Sequence, residues 1–368
     1  MVKLRKQNCF TFAFTMKLKK RILVAPLNWG LGHATRCIPI VNALLTHGFE
    51  PILASDGDAL VLLKKEFPEL TAVSLPSYNI KYAKKGKWFK LKFIQNSPKI
   101  LKAIKAERKI TGQLLVKYEL SGIISDNRLG VYSKLVPCVF ITHQLQVLSG
   151  NTTWLSTKLH QKYMRRFTEC WVPDTSTEPN LSGKLGHVSS CNVPLKYIGP
   201  ISRFRKTESE IVYDIMVLIS GPEPQRELLE RLLVSQLKNH PKKVLITRGV
   251  VEEQQTVAHQ NNLTVYNFMT SEQLEQSLNR SALIISRSGY TTIMDLAKLE
   301  KKAFFIPTPG QFEQEYLAHL MQKQQLAPYC EQASFSLEKL DEVASYQGLH
   351  SISEEISFEK LFGLFQGK

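Results

Sequence analysis

The sequence predicts an α/β protein built from two doubly wound parallel sheets that face each other across a cleft. Short apolar runs alternate with amphipathic helical stretches in both halves of the 368-residue chain, which is the pattern of repeated βα units. The alternation stops at a polar stretch that begins at Gly199 and then restarts, and the chain length fits two domains of ordinary size. We therefore expect a first domain over 17–202, a linker over 203–213 and a second domain over 214–368.

The composition indicates a folded globular protein. The chain is 43% hydrophobic and 22% charged, which is ample for two cores and argues against disorder. Its six cysteines are scattered without a C-x-x-C pair, so we expect reduced, buried thiols and no zinc site. No apolar run approaches the length of a membrane span. We expect residues 1–16 to be a disordered extension, with Met16 as an alternative start.

The elements of the first half follow from apolar runs and helical spacing. Ile38, Val41, Leu44 and Leu45 recur at helical spacing after the first apolar run, and Gly48 ends that helix. Strands are predicted over 21–27, 50–55, 72–76, 122–125, 137–141 and 169–173. Helices are predicted over 33–47, 57–66, 97–118 and 154–167.

The second half repeats the same alternation. Its strands are predicted over 214–220, 244–247, 264–268, 282–286 and 303–307. Its helices are predicted over 224–239 and 271–280, from residue 290 and from residue 313. Because ligands of such sheets bind beyond the carboxyl ends of the strands, the polar residues that follow each strand are the candidate site.

Several polar clusters end strands of the first domain. The first strand runs into a glycine turn that contains Asn28, Gly30 and Gly32, and His33 opens the next helix. A lone histidine is more often structural, but this position at the carboxyl edge of the first strand favours a functional role. Asp126 and His143 end two further strands. The turn lacks the third glycine of the dinucleotide fingerprint, so a cofactor site of that kind is not indicated.

The most informative stretch of the second domain runs from Ile285 to Asp295. A buried strand passes through Arg287, Ser288 and Gly289 directly into a helix, whose free N–H groups and positive dipole end suit a phosphate. Asp295 then lies where a carboxylate holds ribose hydroxyls. An ordinary strand-to-helix turn with a solvated aspartate is the alternative.

Other strand ends in this domain carry similar clusters. Ser220 and Gly221 follow its first strand, with Arg226 a short distance on, and they suit a pyrophosphate. Gln311 lies in the loop after the last strand of the domain, among acceptors and amide donors that continue to Glu315.

The net charge of +16 is concentrated between Lys81 and Lys117, where Glu107 is the single acid. Aromatic residues are interleaved with these bases, as at Lys87, Trp88, Phe89 and Lys90. This composition favours contact with an anionic membrane surface. A basic surface that is merely solvated and a nucleic-acid-binding surface are the alternatives.

The windows 28–36, 287–295 and 307–314 resemble the motifs of family 28 glycosyltransferases, which have the GT-B fold of two Rossmann-like domains. This family includes enzymes of peptidoglycan lipid-intermediate synthesis. The resemblance implies an inverting, metal-independent transfer of a hexose such as N-acetylglucosamine from a UDP-sugar to a hydroxyl acceptor, lipid-linked or part of a cell-envelope glycan. It implies no cofactor, and a cytoplasmic enzyme peripheral to the inner face of the plasma membrane.

The same resemblance implies roles for individual residues. The diphosphate is expected at Ser220, Gly221 and Gly289, the uracil at the backbone of Phe268 and Met269, and the ribose at Asp295. Gln314 and Glu315 are expected to bind sugar hydroxyls, although family members often carry a second glutamine where this chain has Glu315. The first domain then takes the acceptor.

Two residues compete for the role of general base. His33, with an ordinary pKa near 6.5, accepts a proton at neutral pH, and Asp126 is the rival. Two other functional classes remain open, a non-hydrolysing UDP-sugar epimerase and a non-catalytic module that binds nucleotide sugars or nucleic acid.

Overall fold

The computed structural model describes residues 19–78, 89–150, 152–221, 223–250, 252–350 and 357–367, and for 89–98 it describes the backbone but not the side chains. The predicted extension over 1–16 lies outside these residues. So do Lys87 and Trp88 and the side chains of Phe89 and Lys90, which form the predicted membrane surface.

The first domain contains a seven-stranded parallel sheet. Its strands are Arg21–Pro26 (β1), Glu50–Ser55 (β2), Ala72–Ser74 (β3), Leu120–Asp126 (β4), Cys138–Ile141 (β5), Glu169–Val172 (β6) and Leu195–Tyr197 (β7). Their spatial order is β3-β2-β1-β4-β5-β6-β7. The strand order reverses between β1 and β4, and a crevice opens at the carboxyl ends of these two strands.

Between the strands of this sheet, the described residues form four α-helices. They are Gly32–Thr46 (α1), Gly57–Glu66 (α2), Phe89–Lys117 (α3) and Thr153–Met164 (α4). Apolar side chains of α1 such as Ile40, Val41 and Leu44 are fully buried against β1 and β2, which fixes where the start of this helix lies relative to the crevice. Helix α3 begins before the predicted residue 97.

The second domain contains a six-stranded sheet. Its strands are Tyr213–Leu218 (β8), Val244–Thr247 (β9), Val257–Gln260 (β10), Leu263–Tyr266 (β11), Ser281–Ser286 (β12) and Lys302–Phe305 (β13). The order is β10-β11-β9-β8-β12-β13, and only β10 runs antiparallel to its neighbour within this sheet. Its helices are Gln225–Leu237 (α5), Ser271–Asn279 (α6), Tyr290–Lys298 (α7) and Phe312–Lys323 (α8). The switch point lies between β8 and β12.

The last helix, Phe358–Gln366 (α9), returns to the first domain although its residues fall within the predicted second domain. The ring of Phe362 contacts Phe49 edge-on, with centroids 5.7 Å apart, and lies near Trp171. Leu361, Phe362 and Phe365 are buried in the core of the first domain. The second domain's own core therefore does not extend to residue 368.

The sequence predicted the α/β class with two sheets correctly, and the fold confirms it. Among the strands and α-helices that the structure describes, the sequence missed β7, β10 and α9. Among the helices that the structure describes, none combines the length and the apolar character that crossing a bilayer requires.

Candidate active site

His33 and Asp126 meet at the switch point of the first sheet. Pro26 at the end of β1 pairs with Asp126 at the end of β4, and α1 begins at Gly32 after the glycine turn. This places His33 Nδ1 3.0 Å from Asp126 Oδ1. The Asp126 side chain is fully buried, whereas that of His33 is 16% exposed. His33 therefore faces the cleft, and Asp126 lies behind it.

Arg36 joins this pair of residues, and sequence reasoning missed it. It lies one turn after His33 on α1, is almost fully buried, and donates through Nε and Nη2 to both oxygens of Asp126. Its Nη2 also lies 2.7 Å from His33 Nδ1, and its Nη1 lies 3.3 Å from Nδ1 of His143. A buried guanidinium beside a carboxylate neutralises charge that is costly to bury alone.

These neighbours set the protonation of the pair. Burial lowers the pKa of His33 below 6.5, and Arg36 acts in the same direction while Asp126 opposes both. Burial acts to raise the pKa of Asp126, but Arg36 and His33 outweigh it and hold that pKa at about 2. At neutral pH the histidine is therefore uncharged and the aspartate ionised, as a general base and its support require.

His143, which the sequence placed at a strand end of the acceptor domain, contacts the second domain directly. Its Nε2 lies 2.7 Å from Oε1 of Glu313 in the first turn of α8. Its ring stacks on Tyr290 with centroids 4.1 Å apart and an interplanar angle of 10°. Gln144 Nε2 donates to the other oxygen of Glu313. Sequence reasoning missed Glu313 because no local pattern distinguishes it from other acids in a first helical turn.

The glycine turn borders the cleft and also contacts other parts of the chain. A Cβ on Gly32 would lie 2.9 Å from Thr291 Oγ1, so helix α7 of the second domain packs directly against this position. Asn28 turns towards α2, where its Oδ1 accepts from the amide of Ala59. Gly30 has a φ of +77° and open space around its missing side chain. Of this turn, Gly30 is the glycine with room for a ligand.

The donor-side turns lie at the switch point of the second sheet. Gly221, after β8, has a φ of +106°, a conformation that favours glycine, and Ser220 beside it is exposed. Gly289 caps the start of α7 without a side-chain cap, and only Thr292 Oγ1, at 3.9 Å, lies near its missing Cβ. Thr308 Oγ1, buried without a partner among the described residues, lies 4.0 Å from the Cβ position of Gly221. Open N–H groups at a helix start suit an anion.

Three predicted donor-binding side chains are engaged within the protein. Arg287, 1% exposed, donates to the carbonyl oxygens of residues 225, 306 and 307 and to the amide oxygen of residue 332, and a ligand contact for this side chain stays a prediction. The hydroxyl of Ser288 is buried and donates to the carbonyl oxygen of Gln314 at 2.7 Å. Arg226 forms ion pairs with Glu223 and Glu230. These contacts shape the walls of the site.

Gln311, Gln314 and Glu315 organise the loop before α8. The Gln311 side chain caps the helix by accepting from the Gln314 amide at 2.6 Å. Gln314 Oε1 accepts from the amide of Thr308 at 2.8 Å, and Glu315 Oε1 accepts from that of Gly310 at 2.7 Å. Their role in sugar binding stays a prediction, but all three face the loop in which Thr308 lies.

The predicted base-binding segment follows β11. The carbonyl oxygen of Phe268 accepts from Gln255 Nε2 at 2.7 Å, and its amide donates to Asn267 Oδ1 at 2.9 Å. Lys65 of the first domain lies over the Phe268 ring, 5.0 Å from its centroid. Met269 packs against the core of the second domain. Contact with uracil stays a prediction for both residues.

Asp295, the predicted ribose ligand, faces the junction between the domains. Its Oδ1 accepts from the hydroxyl of Ser202 at 2.6 Å. Burial raises its pKa to about 6, while Arg203 and Ser202 act to lower it. The carboxylate is therefore largely ionised at pH 7 and becomes protonated in mild acid.

No group of three or more histidine, cysteine, aspartate or glutamate side chains in the described ranges is arranged to hold a metal ion.

The fold is similar to those of known proteins. Spinosyn forosaminyltransferase SpnP has a TM-score of 0.63 at 13% identity, with 95% of this chain and 100% of that one covered. MurG of Acinetobacter baumannii has a TM-score of 0.55 at 13% identity, with 95% and 99% covered. The fold is thus that of the GT-B glycosyltransferases.

The sequence comparisons point to one family among the proteins with this fold. Residues 219–351, which make up most of the second domain, match the glycosyltransferase family 28 C-terminal domain, so this part of the chain is similar to that family. The chain is also similar to two UDP-N-acetylglucosamine–N-acetylmuramyl-(pentapeptide) pyrophosphoryl-undecaprenol N-acetylglucosamine transferases. The one from Clostridium tetani is 24% identical over 79% of this chain and 78% of its own length. The one from Histophilus somni is 25% identical, and the match spans only 60% of its length.

Proposed function

We propose that the protein transfers N-acetylglucosamine or a related hexose from a UDP-sugar to a hydroxyl group of a lipid-linked or cell-envelope glycan acceptor. One observation supports this most strongly. The uncharged, partly exposed His33, held by Asp126, lies beside the glycine that contacts the start of α7. A proton acceptor and a helix N-terminus suited to phosphate thus face the same cleft.

The proposed chemistry follows from these two groups. When Nδ1 of His33 donates to Asp126, Nε2 is free to take the proton of the attacking hydroxyl. As the sugar–phosphate bond breaks, the diphosphate gains charge, and the N–H groups at Gly289 stabilise it. In-line attack from the face opposite the diphosphate inverts the anomeric carbon. We propose that backbone N–H groups and the helix dipole supply the positive potential, so that no metal is required.

The names of the relatives support the choice of donor and acceptor. The curated relatives are named for a UDP-N-acetylglucosamine donor and a pyrophosphoryl-undecaprenol acceptor. We extend the UDP-sugar donor and a lipid-linked acceptor to this chain as part of the proposal.

We further propose that the first domain binds the anionic inner face of the plasma membrane from the cytoplasm. Exposed lysines recur along α3, at Lys99, Lys102, Lys105, Lys109 and Lys117. In the same domain, α4 presents Trp154, whose side chain is 68% exposed. Lysines and interfacial aromatic residues together suit anionic lipid headgroups.

Sedimentation with vesicles tests the membrane contact. Binding should increase with the fraction of anionic lipid and decrease with salt, and Lys102→Glu together with Lys109→Glu should weaken it. Equal binding to neutral vesicles would contradict the proposal, and salt-sensitive retention on random DNA without affinity for UDP would favour nucleic acid instead.

Calorimetric titration with UDP and then UDP-N-acetylglucosamine in metal-free buffer tests the donor site. Binding should be weakened strongly by Asp295→Ala and left unchanged by Asp341→Ala, an exposed carboxylate of the same domain. Absence of UDP binding would contradict the UDP assignment, and dTDP and GDP would then be titrated.

A turnover assay distinguishes transfer from epimerisation. Consumption of the donor should require an acceptor with a free hydroxyl group. A donor that epimerises without any acceptor would instead support the alternative reaction.

A further inference from the structure

Glu313 joins the donor domain to the residues that support the base. It lies in the first turn of α8, and both of its carboxylate oxygens contact the loop after β5 of the first domain. One oxygen lies 2.7 Å from His143 Nε2, and Gln144 Nε2 donates to the other. The side chains of Glu313 and His143 are 20% and 5% exposed. The contact is therefore shielded from solvent and screened little by salt.

The partners of His143 determine where its ring proton lies. Arg36 Nη1 only donates, so His143 Nδ1 accepts from it at 3.3 Å and the proton lies on Nε2. Nε2–H then donates to the carboxylate of Glu313, which only accepts. Each contact in the series Glu313, His143, Arg36 thus has one donor and one acceptor.

The contacts of His33 do not fix its ring proton in the same way. Its Nδ1 lies 3.0 Å from Asp126, which accepts, and 2.7 Å from Arg36 Nη2, which donates. If Nδ1 pairs with Asp126, it carries the proton and Nε2 is free to act as a base. If Nδ1 pairs with Arg36, the proton lies on Nε2 and the ring cannot accept another from a hydroxyl group there. The position of Arg36 therefore decides whether His33 is a base.

We propose that Glu313 is a positioning residue that, through His143, anchors Arg36 on Asp126 and leaves Nδ1 of His33 to donate to Asp126, so that the base forms only when the two domains are closed. This inference rests on the proposed transferase function. Tyr290 adds to the coupling, since it follows Gly289 at the start of α7 and stacks on His143. The charged or titratable groups that face His33 are Asp126, Arg36, His143 and Glu313.

The test compares Glu313→Gln with Glu66→Gln. Glu66 also pairs across the domains, with Ser271 and Arg203, but lies on α2 away from His33. We expect Glu313→Gln to lower kcat about 10- to 100-fold while KM for the UDP-sugar changes less than about twofold, because a support of the base acts on the chemical step. Glu66→Gln should leave kcat within about twofold. A rise in KM alone would assign Glu313 to sugar binding and overturn the proposal.

Nitrogen-15 NMR of the histidine rings of the full chain gives a readout that does not depend on turnover. In the wild-type protein we expect the His33 proton on Nδ1, and in Glu313→Gln a shift towards the Nε2–H form. Loss of the Glu313 charge should also lower the pKa of His33, because Glu313 favours its protonated form.

The NMR and turnover measurements separate the two proposals. If the wild-type protein transfers no sugar, the proposed function fails, and the tautomer comparison still tests the coupling. If His33 has the same tautomer and titration in the wild type and in Glu313→Gln, the coupling is wrong whatever the activity.

Discussion

Thr291 of the second domain donates a hydrogen bond from Oγ1 to the carbonyl oxygen of Gly32 in the first, across 3.2 Å. This contact places the N-terminus of α7 beside the turn that leads to His33. A glycine suits position 32 because the start of α7 approaches it closely, rather than because the backbone there has an unusual conformation.

Gly32→Ala should therefore act at the domain contact. The new Cβ would lie 2.9 Å from Thr291 Oγ1 and 3.3 Å from Thr291 Cβ, so the two elements must separate slightly. We expect a loss of about 1 kcal/mol in the free energy of unfolding and a several-fold fall in kcat/KM. Urea denaturation and turnover measure both. Thr291→Ala in the same chain should restore part of each loss, and no restoration would mean that the crowding lies elsewhere.

His33→Ala should abolish most of the transfer without affecting donor binding. A positioned general base contributes about 10²- to 10⁴-fold to the rate of transfer. In the proposed site the His33 side chain does not contact UDP, so the affinity for UDP should not change. The measurement is kcat together with calorimetric titration of UDP. His259→Ala, an exposed histidine on β10, serves as the control and should behave as wild type. Retained activity in His33→Ala would show that another group takes the proton.

Asp126→Asn should destabilise the fold at neutral pH and less so in strong acid. Because the folded pKa of about 2 lies below the ordinary 3.8, the ionised group stabilises the fold above pH 4, and this contribution is lost as pH falls towards 2. The shift corresponds to about 2 kcal/mol, and leaving Arg36 buried without its carboxylate adds to the loss. Urea denaturation between pH 2 and 7 should show the difference between variant and wild type shrinking below pH 4. A constant difference would contradict the ion pair.

UDP binding should weaken as pH falls through about 6 if Asp295 holds the ribose as a carboxylate, since its pKa is about 6. Asp295→Asn should remove this pH dependence. Ser202→Ala should move its midpoint upward, because the Ser202 hydroxyl favours the ionised form. Calorimetry from pH 5 to 8 measures both effects, and a midpoint that stays in place in Ser202→Ala would rule out Asp295 as its source.

The same pKa shift makes Asp295 a source of instability. The pKa of Asp295 in the folded protein lies above 3.8, so the fold favours the protonated carboxyl group. Ionisation of this group therefore lowers the free energy of unfolding progressively as pH rises from about 4 through 6. At pH 7 we therefore expect Asp295→Asn to be at least as stable as the wild type in urea denaturation. A marked loss of stability at that pH would contradict this sign.

Arg287→Met should destabilise the loop before α8. Its buried guanidinium donates to the carbonyl oxygens of Ile306 and Pro307, which would then lack partners. We expect a loss of about 2 kcal/mol or more and faster proteolysis near residue 308. Arg231→Met, at an exposed ion pair with Glu227 on α5, should cost less than about 1 kcal/mol. Equal losses in the free energy of unfolding would mean that the buried hydrogen bonds of Arg287 stabilise the fold no more than an exposed ion pair does.

Local sequence predicted the parts of the fold that have a local cause. Buried parallel strands such as β1 and β12 are continuous apolar runs, and α1 has helical spacing with a glycine after it. Strand β10 was missed because all four of its residues are exposed, so no apolar alternation marks it. Helix α9 was missed as an element, and nothing in its sequence indicates that it packs against the first sheet.

The sequence by itself determined the fold class and the carboxyl edges at which His33, Asp126, Gly221 and Gly289 lie, because strand ends and glycine turns are local features. Only the tertiary structure decided which of these groups meet. The register of β1 on β4 placed Asp126 behind His33, which supports His33 as the base of the proposed reaction. The contact between the domains placed Glu313 beside His143, although the two residues are 170 positions apart in the chain. Such pairings depend on how distant segments pack, and no spacing along the chain encodes them.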